Sequence, residues 1–389
     1  MKKITLLLSV FSSVISLKAQ DISFASLHDV MLSRKDISYI KHHDPLKFCY
    51  EKLSVSTSTN EAQPIEGILS ETFVVTIPKG IVCSDFGMIK IDNHIVKDFF
   101  NQLVPFGAQV NDFLAKKTDL NKVTKISGRV AVITTSLHKV FSHWFNDVLP
   151  RLIILQESGI EYDWLFAPKY APYMKETYEL YGIPLEKIIE CTGEDQCIQA
   201  DELIVPSMAI RRDVCATDPV YDWYPATAYW PYWMTDNIRS KFLPEVKNIE
   251  TNYNFSKKVF ISRKDGFTRS IVNEDEIFVL FEEKGFKRYC LSKMSLLEQA
   301  VLFNGADVIV GAHGSALANI IFCKPNTMII EIFQKLYDAH FCNLAQDMKC
   351  NYFGLKTEFT SRGHVADSTI VPVDIIKNFI SLHVNEISY

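Results

Sequence analysis

Several well-known sequence signals are missing from this chain, and each absence excludes a class of protein or site. No D-x-D triplet occurs, so the chain lacks the paired carboxylates that often hold Mg²⁺ or Mn²⁺ on a diphosphate. No G-x-G-x-x-G follows a first strand, which argues against a dinucleotide-dependent oxidoreductase. No C-x-x-C or Cys/His cluster has zinc-finger spacing, so we expect no structural zinc. The net charge of −5 provides no basic excess, which argues against nucleic acid as the main partner.

Long hydrophobic runs are also missing beyond the N-terminus. Lys2 and Lys3 precede an apolar run over 4–17, and Ala19 supplies a small residue for cleavage. The run is shorter than the roughly 20 residues of a membrane-spanning helix. We therefore expect residues 1–20 to be a signal peptide or an uncleaved membrane anchor, with a first core strand as the alternative. Either targeting segment places the protein in the secretory lumen or outside the cell, and an anchor adds membrane association.

The nine cysteines predict no fixed disulfide framework. In an exported protein some of them pair, and the odd count leaves at least one thiol over. Cys191 and Cys197 are close enough in the sequence for a small loop staple. Free thiols are an equally good interpretation of the same pattern.

The composition and the order of the segments predict an α/β protein. Apolar residues make up 48% of the 389 residues and charged residues 22%, as in packed globular domains. The length favours two domains. From about residue 72, strand-like apolar runs alternate with helical stretches, which indicates βαβ units around a parallel sheet. Residues 21–70 lack this pattern, so we interpret them as irregular lead-in structure at the start of a first domain over 21–245.

A break rich in proline separates this series from a second one. Since proline ends helices and sets rigid turns, the prolines of residues 213–256 place the domain boundary near 245–256. Strand and helix signals then alternate again, and the motif S-x-x-E at 295–298 predicts a capping box at a helix start. The sequence thus predicts two Rossmann-like domains facing a cleft, the second over 256–389.

The strongest local signal is DVIVGAHGSALANIIF at residues 307–322, an apolar strand that runs into a glycine turn and a helix. Ligands of open parallel sheets bind at the carboxyl ends of strands, and the free N–H groups of a helix start bind phosphate. Gly314 lets the backbone approach a ligand closely, and His313 and Ser315 can add hydrogen bonds. Asn319 is predicted one turn further on, on the helix face of Ser315. An ordinary tight βα turn is the alternative.

Charged residues follow two strands of the same predicted domain. Arg263 and Arg269 come directly after the strand KVFIS at 258–262, at the end where ligands bind. A guanidinium group matches phosphate oxygens bidentately, whereas a solvated basic loop is the alternative. Glu331 lies in the strand MIIEI and could accept hydrogen bonds from ribose hydroxyls, and a salt-bridged carboxylate is the equal alternative.

The first domain contains the unusual segment HWFNDVLPR, in which His143 and Asp147 are four residues apart. On a helix these two side chains share a face, so they could form a polarised imidazole or a general base. Pro150 is expected to kink the helix or remove one of its hydrogen bonds. A surface contact is the more common role of a lone His–Asp pair.

Three segments together resemble glycosyltransferase family 61. They are HWFNDVLPRL at 143–152, SRK…R…NE at 262–274, and LLEQAVLFNGADVIVGAHGSALANIIFCKPNTMIIEIF at 296–333. The resemblance covers roughly residues 125–350, and the last segment is long and specific. Ser315-Ala316 replaces a more usual small Ala-Gly of the family, and the first 70 residues carry no resemblance.

The resemblance implies a GT-B fold and an inverting glycosyltransferase that needs no metal ion. The donor is then a nucleotide-sugar, usually a uridine diphosphate (UDP) sugar, which is a co-substrate, so no cofactor is expected. The acceptor is a hydroxyl of a glycan or glycoprotein. The resemblance also implies that His143 and Asp147 face the cleft. Our candidate for the catalytic base is Asp147, alone or through His143. The residues that the resemblance places around the nucleotide are Arg263, Arg269, His313, Gly314, Ser315 and Glu331.

Two other functions agree with part of the pattern. A catalytically inactive relative would bind the nucleotide or a glycan through the same residues. An exported sugar-binding module would instead use the Trp and Tyr cluster at 223–233, where aromatic rings can pack on sugar faces, and would bind no nucleotide.

Overall fold

The structure is a computed structural model that describes residues 23–51, 65–99, 123–193, 196–214, 226–266, 269–333, 339–356, 368 and 370–384. The predicted targeting segment at 1–20 lies outside these residues, as do Trp223 and Tyr224, the first two residues of the aromatic cluster at 223–233. Within them, no helix has the length and apolar character needed to cross a membrane.

The N-terminal half of the described chain contains fourteen strands and four main helices. In chain order these are β1 Ser23–Ala25, α1 Leu27–Ser33, β2 Ser38–His43, β3 Leu46–Tyr50, β4 Ile65–Leu69, β5 Thr72–Pro78, β6 Ile81–Cys83, β7 Met88–Ile91, β8 His94–Val96, β9 Thr124–Val132, α2, β10 Trp164–Ala167, α3 Pro172–Leu180, β11 Ile188–Glu190, β12 Cys197–Pro206, β13 Arg211–Val214, β14 Ala226–Tyr229 and α4 Tyr232–Ile249. Helix α2 is continuous over Phe141–His143, Trp144–Val148 and Leu149–Glu157, and its middle part has π-helical turns.

The C-terminal half of the described chain alternates strands and helices. In chain order these are β15 Lys258–Ile261, α5 Glu274–Glu282, β16 Lys287–Tyr289, α6 Leu296–Gly305, β17 Val308–Ala312, a 3₁₀ helix Ser315–Phe322, β18 Met328–Phe333, α7 His340–Asp347, β19 Asn351–Lys356 and α8 Val373–Phe379, which continues as π-helical turns over Ile380–Val384. Shorter 3₁₀ turns occupy Lys97–Phe99, Leu185–Lys187, Glu250–Asn252 and Leu291–Lys293.

Two large sheets organise these elements, and they confirm the α/β class. The first has ten strands in the order β1-β8-β7-β6-β12-β9-β10-β11, with β5 also paired to β12 and β2 to β5. Its strands β12, β9, β10 and β11 are mutually parallel, whereas β5 and β6 run antiparallel to β12. The second sheet is wholly parallel and has the order β16-β15-β17-β18-β19. The predicted βαβ units are therefore present in both halves.

One hydrophobic core extends beneath both sheets. It contains Ala131 and Leu165 from the first sheet and Ile309 and Ile329 from the second. Phe322 links the halves, because its ring lies 6.0 Å from that of Phe145 and 5.1 Å from that of Phe242. Burial of these large rings makes the contact between α2, α4 and the 3₁₀ helix a part of the interior.

The interpretation of residues 21–70 as irregular structure is wrong. Helix α1 and strands β1 to β4 lie there, with the stretch 52–64 outside the described residues. Strand β2 explains the error, because its first four residues are exposed and leave no alternation of apolar and polar positions to read.

The proline-rich break also contains a long helix, which the prolines concealed. Pro231 precedes the first residue of α4, where a missing N–H costs nothing. Pro244 lies inside the helix and removes one backbone hydrogen bond. Burial of Met234, Ile238 and Phe242 against the core compensates for that loss.

The predicted staple between Cys191 and Cys197 is also wrong. Cys197 forms a disulfide with Cys83 instead, because the two residues are directly opposite each other on the antiparallel pair β12 and β6. Cys191 is a buried free thiol that donates to Thr134 Oγ1 at 3.5 Å. By contrast, the capping box of Ser295 and Glu298 is confirmed at the start of α6.

Candidate functional site

The strand order of the second sheet locates the candidate site. The chain forms β15 in the middle, places β16 on one side of it, and then builds β17, β18 and β19 on the other side. Neighbouring connections leave β15 and β17 in opposite directions, and in open α/β sheets ligands bind in the crevice at the carboxyl ends of such strands. The residues that follow these two strands are those of the arginine loop after 261 and the glycine turn after 312. The structure thus brings two separately predicted segments to one crevice.

Arg263 lies directly over the glycine turn. Its Nη1 donates to the His313 carbonyl oxygen at 3.4 Å. A Cβ added at Gly314 would lie 1.7 Å from the same nitrogen, which is far inside any allowed contact. Gly314 has an extended backbone, so close approach is the reason for glycine here. The guanidinium group and the peptide groups of the turn consequently face the same space.

A buried carboxylate holds the arginine loop in place. Glu274, in the first turn of α5, accepts hydrogen bonds from Ser262 Oγ at 2.6 Å and from the Arg263 N–H at 3.0 Å. Arg288 Nη1 lies 3.5 Å from Glu274 Oε1 and balances its charge. Glu274 was not predicted as a site residue, because on sequence alone it is one of several acids at a helix start.

Arg263 and Arg269 bring two positive charges to this loop. Burial, and next the charge of Arg269, lower the pKa of Arg263 to about 10. Arg269 has a φ of 55°, a left-handed backbone that is uncommon for a residue other than glycine. Repelling like charges and an unfavourable backbone are features that a bound anion would offset, and such strain clusters at ligand sites.

His313 is fixed by a buried chain of hydrogen bonds. Its Nδ1 lies 2.5 Å from Glu331 Oε1, and Tyr352 donates to Glu331 Oε2. Glu331 is completely buried and His313 nearly so, and the His313 ring stacks on Phe333 with centroids 5.6 Å apart. In this arrangement Glu331 orients the imidazole of His313. Glu331 therefore contributes to a ligand site through His313 and not by a contact of its own. Tyr352 was missed, because only the pairing of β18 with β19 brings it near Glu331.

The prediction that Asn319 shares a helix face with Ser315 is wrong. The segment is a 3₁₀ helix of three residues per turn, in which a residue four positions on lies about 120° around the axis. Asn319 is fully buried and donates to Gln299 Oε1 at 2.9 Å, which fastens the 3₁₀ helix to α6. Ser315 remains half-buried at the turn.

Helix α2 starts against the glycine turn. Ser142 Oγ donates to Ser315 Oγ at 3.3 Å, so the first turn of α2 touches the site on the second sheet. The helix then widens to π-helical turns over Trp144–Val148, where the Leu149 N–H bonds to the Trp144 carbonyl. This wider turn precedes Pro150 and keeps the helix continuous through it. π-Helical turns frequently mark functional sites.

His143 and Asp147 are paired as predicted, with His143 Nδ1 2.6 Å from Asp147 Oδ2. The side chain of Asp147 is 0% exposed, and that of His143 is 14% exposed. His143 Nε2 has no hydrogen-bond partner among the described residues. Because the carboxylate fixes Nδ1, Nε2 is the ring nitrogen that can meet a ligand.

A buried arginine, Arg151, is influenced by the charge of Asp147. Arg151 lies one turn further along α2, is fully buried, and donates to the carbonyl oxygens of Thr134 at 2.7 Å and Pro206 at 3.0 Å. Burial lowers the pKa of Arg151 to about 9, and Asp147 opposes that shift. The negative charge of Asp147 therefore favours the charged form of Arg151.

A second histidine borders the site and was missed. Asn146 Nδ2 lies 3.0 Å from His340 Nε2, which joins α2 to α7. His340 packs edge-on against Trp230, with ring centroids 5.5 Å apart. Its sequence context, DAHFCN, contains no recognised motif, so only the fold reveals its place.

Comparison with known proteins points to one family. Residues 141–330 match the family model described as glycosyltransferase 61. This region includes every predicted site residue except Glu331, which lies one position beyond it. A curated relative, a beta-1,2-xylosyltransferase from Arabidopsis thaliana, is 30% identical over 93 residues, which are 24% of this chain and 16% of the relative. The aligned segment thus spans about a sixth of that relative's length.

Proposed function

Residues 141–330 belong to glycosyltransferase family 61, and on this premise we propose that the chain transfers a sugar from a nucleotide donor to a hydroxyl group of a glycan or glycoprotein. One observation carries the proposal. Arg263 lies over the Gly314 turn at the crevice between β15 and β17, while Ser142 brings the start of α2 against the same turn. In this proposal the cationic groups bind a leaving diphosphate, and the histidine that follows Ser142 takes a proton.

The second sheet holds the donor in this proposal. Arg263 and Arg269 bind the diphosphate of a UDP-sugar, and the N–H groups at 313–315 add hydrogen bonds. His313, held by Glu331, supports the nucleotide side of the crevice. Preorganised donors of this kind stabilise the charge that develops on a departing diphosphate.

His143 is the proposed base, with Asp147 as the residue that orients it. The acceptor oxygen attacks the anomeric carbon while Nε2 of His143 takes the hydroxyl proton. The bond from the anomeric carbon to the β-phosphate oxygen breaks, and UDP leaves with the electron pair. A single displacement of this kind inverts the configuration at the anomeric carbon. Asp147 is too deeply buried to reach an acceptor itself, so it acts through the imidazole.

We also propose that the diphosphate needs no divalent ion, that the two sheets belong to a GT-B arrangement, and that the protein acts in the secretory lumen or outside the cell, free or membrane-anchored. The two arginines supply the charge that a metal ion would otherwise provide. Adding Mg²⁺ or Mn²⁺ should then change the transfer rate less than twofold. A rate that depends on either ion would contradict this part of the proposal.

The test combines calorimetry with UDP and a turnover assay with UDP-sugars. Arg263→Ala should weaken UDP binding at least tenfold, because a desolvated charge-assisted contact is lost. Lys287→Ala, an exposed residue on the neighbouring strand, is the matched control and should bind UDP like the wild type. Equal binding by both variants would refute the diphosphate site.

The same assay separates the enzyme from an inactive relative. His143→Asn should retain UDP affinity while turnover falls about 10²–10⁴-fold, the usual contribution of a general base. A wild-type protein that binds UDP but neither transfers nor hydrolyses any UDP-sugar would support the binding-protein alternative.

A further inference from the structure

Three side chains outside the proposed active site bring their ligand atoms together. His42 Nε2 lies 3.0 Å from Glu157 Oε2, and His43 Nε2 lies 3.5 Å from the same oxygen. One ligand atom from each residue lies within 4.8 Å of the other two. The three side chains are 20%, 23% and 33% exposed, so the group is partly shielded but open to water on one side.

A β-bulge makes this convergence achievable for two consecutive histidines. Successive side chains of a regular strand point to opposite faces of the sheet. Here Lys41 pairs with Phe73 and His43 with Thr72, so β2 contains one extra residue opposite β5. That extra residue is His42, and the bulge turns its side chain towards the face of His43. Bulges often re-aim a side chain at a functional site.

Neighbouring residues hold the ligand atoms in place. His43 Nδ1 lies 2.7 Å from Thr72 Oγ1, and the His43 ring stacks on Trp233 at 4.1 Å with an 8° angle between planes. Glu157 Oε1 accepts a hydrogen bond from Asn237 Nδ2 at 2.9 Å. Metal-binding histidines and carboxylates are usually oriented in this way through their second nitrogen or oxygen.

We propose that His42, His43 and Glu157 bind a divalent transition-metal ion, with Zn²⁺ as the best match to the donor set. Two imidazole nitrogens and one carboxylate oxygen are borderline ligands that suit Zn²⁺ in preference to Mg²⁺ or Ca²⁺, which need mostly oxygen. The open side leaves a fourth position for water.

The proposed site is distant from the transfer reaction, and it differs from the zinc-finger type that the sequence argues against because it contains no cysteine. Glu157 is the last residue of α2 and His143 lies near its start, so the two are roughly 20 Å apart at 1.5 Å per residue. Its ligands join β2 to α2, and Trp233 and Asn237 add the start of α4. The ion would therefore fasten an edge strand to the helix that carries the proposed base.

The experiment titrates ZnCl₂ into the metal-stripped full-length chain by isothermal calorimetry. We expect one Zn²⁺ per chain at this site, and an increase in melting temperature with Zn²⁺. His42→Gln and Glu157→Gln should each weaken that binding at least tenfold and abolish the increase. His28→Gln, an exposed histidine on α1, is the matched control and should bind as the wild type does.

Two further measurements keep the result interpretable. Circular dichroism establishes that each variant is folded, and Co²⁺ titration of the wild type reports ligation through visible absorption without any substitution. Absence of Co²⁺ bands together with absence of Zn²⁺ binding would overturn the proposal. So would wild-type affinity in both folded variants, since the ion would then lie elsewhere.

Discussion

At the scale of single residues, close approach decides what two positions of the site can be. Gly314 is required because Arg263 occupies the space that any side chain at this position would need. The backbone of Gly314 is extended and unstrained, so its conformation is not the reason for glycine. Asp147 and Arg151 are both buried, and the charge of Asp147 favours the charged form of Arg151. The contact with Arg263 determines which residue fits at 314, and the charge of Arg151 acts on the carboxylate that contacts His143.

Gly314→Ala should reduce turnover about 10²-fold, since the new methyl group displaces the Arg263 guanidinium from the diphosphate position. The fold should persist, because the extended backbone accepts alanine. Gly305→Ala is the control, as an added Cβ there meets no atom within 4 Å. Steady-state kinetics and melting curves measure both effects, and undiminished turnover in Gly314→Ala would disprove the placement of Arg263.

Arg151→Met should destabilise the protein by about 2–5 kcal/mol, because it removes a buried positive charge that acts on Asp147. It also removes the donor to the Thr134 and Pro206 carbonyls. The double variant Asp147→Asn with Arg151→Met should recover part of that loss. Urea denaturation measures the two free energies of unfolding, and an equal loss in both variants would argue against electrostatic coupling between Asp147 and Arg151.

At the scale of elements, contacts between distant segments carry most of the organisation that sequence patterns miss. The end of β3 is joined to α7, where Tyr50 donates to Asp347 Oδ2 at 2.8 Å. Beside it, Gln346 exchanges two hydrogen bonds with the backbone of Glu51, each 2.9 Å long. These contacts attach the β3–β4 hairpin to the second half of the chain. One of them involves an ionisable group, the carboxyl group of Asp347.

The free energy of unfolding should decrease as pH rises, because the attachment of the β3–β4 hairpin includes the carboxyl group of Asp347. Burial raises the pKa of Asp347 to about 7 from its ordinary value of 3.8, so the folded state binds the extra proton between these values. The free energy of unfolding should then decrease with pH in that window by at most about 1.4 kcal/mol per unit. Asp347→Asn keeps an acceptor for Tyr50 and should be more stable than the wild type at pH 8. Urea denaturation at pH 5 and pH 8 tests this, and identical pH dependence in both proteins would contradict it.

Local signals predicted the local parts of this structure. The strands at 258–261, 308–312 and 328–333 and the capping box of α6 follow from apolar runs and from a motif of four residues. They were predictable because neighbours in the sequence determine them. Contacts between neighbouring strands, such as the hydrogen bond from Tyr352 to Glu331, depend on strand order, and neither segment alone predicts them.

The misjudged elements failed for a physical reason as well. Strand β2 is mostly exposed, so it lacks the apolar alternation that marks a strand. Helix α4 contains Pro244, and the low helix propensity of proline argues against a helix there. Packing against the core stabilises the helix nevertheless. The 3₁₀ conformation of 315–322 moved Asn319 into the interior, since a sequence of good helix formers does not reveal which helical period the packing selects.

At the scale of the whole molecule, a disulfide bond cross-links two strands of the first sheet. The disulfide between Cys83 and Cys197 joins positions 114 residues apart, and a loop of that length restricts the unfolded chain strongly. Cys83→Ser should therefore lower the free energy of unfolding by about 3–5 kcal/mol. Denaturation with and without reductant measures it. A wild-type protein that is unaffected by reduction would contradict the expectation, and Cys49→Ser, an exposed free thiol, serves as the control.

The shared interior limits how the two halves can move apart. Because Phe322 is enclosed by rings from α2 and α4, a wide hinge between the sheets would expose these aromatic faces to water. Small sliding of packed helices and rearrangement of surface loops are the motions that leave such an interior intact. A substrate would consequently reach the crevice through movement of the surface loops around it. These loops, and not a domain hinge, would determine how fast the substrate enters.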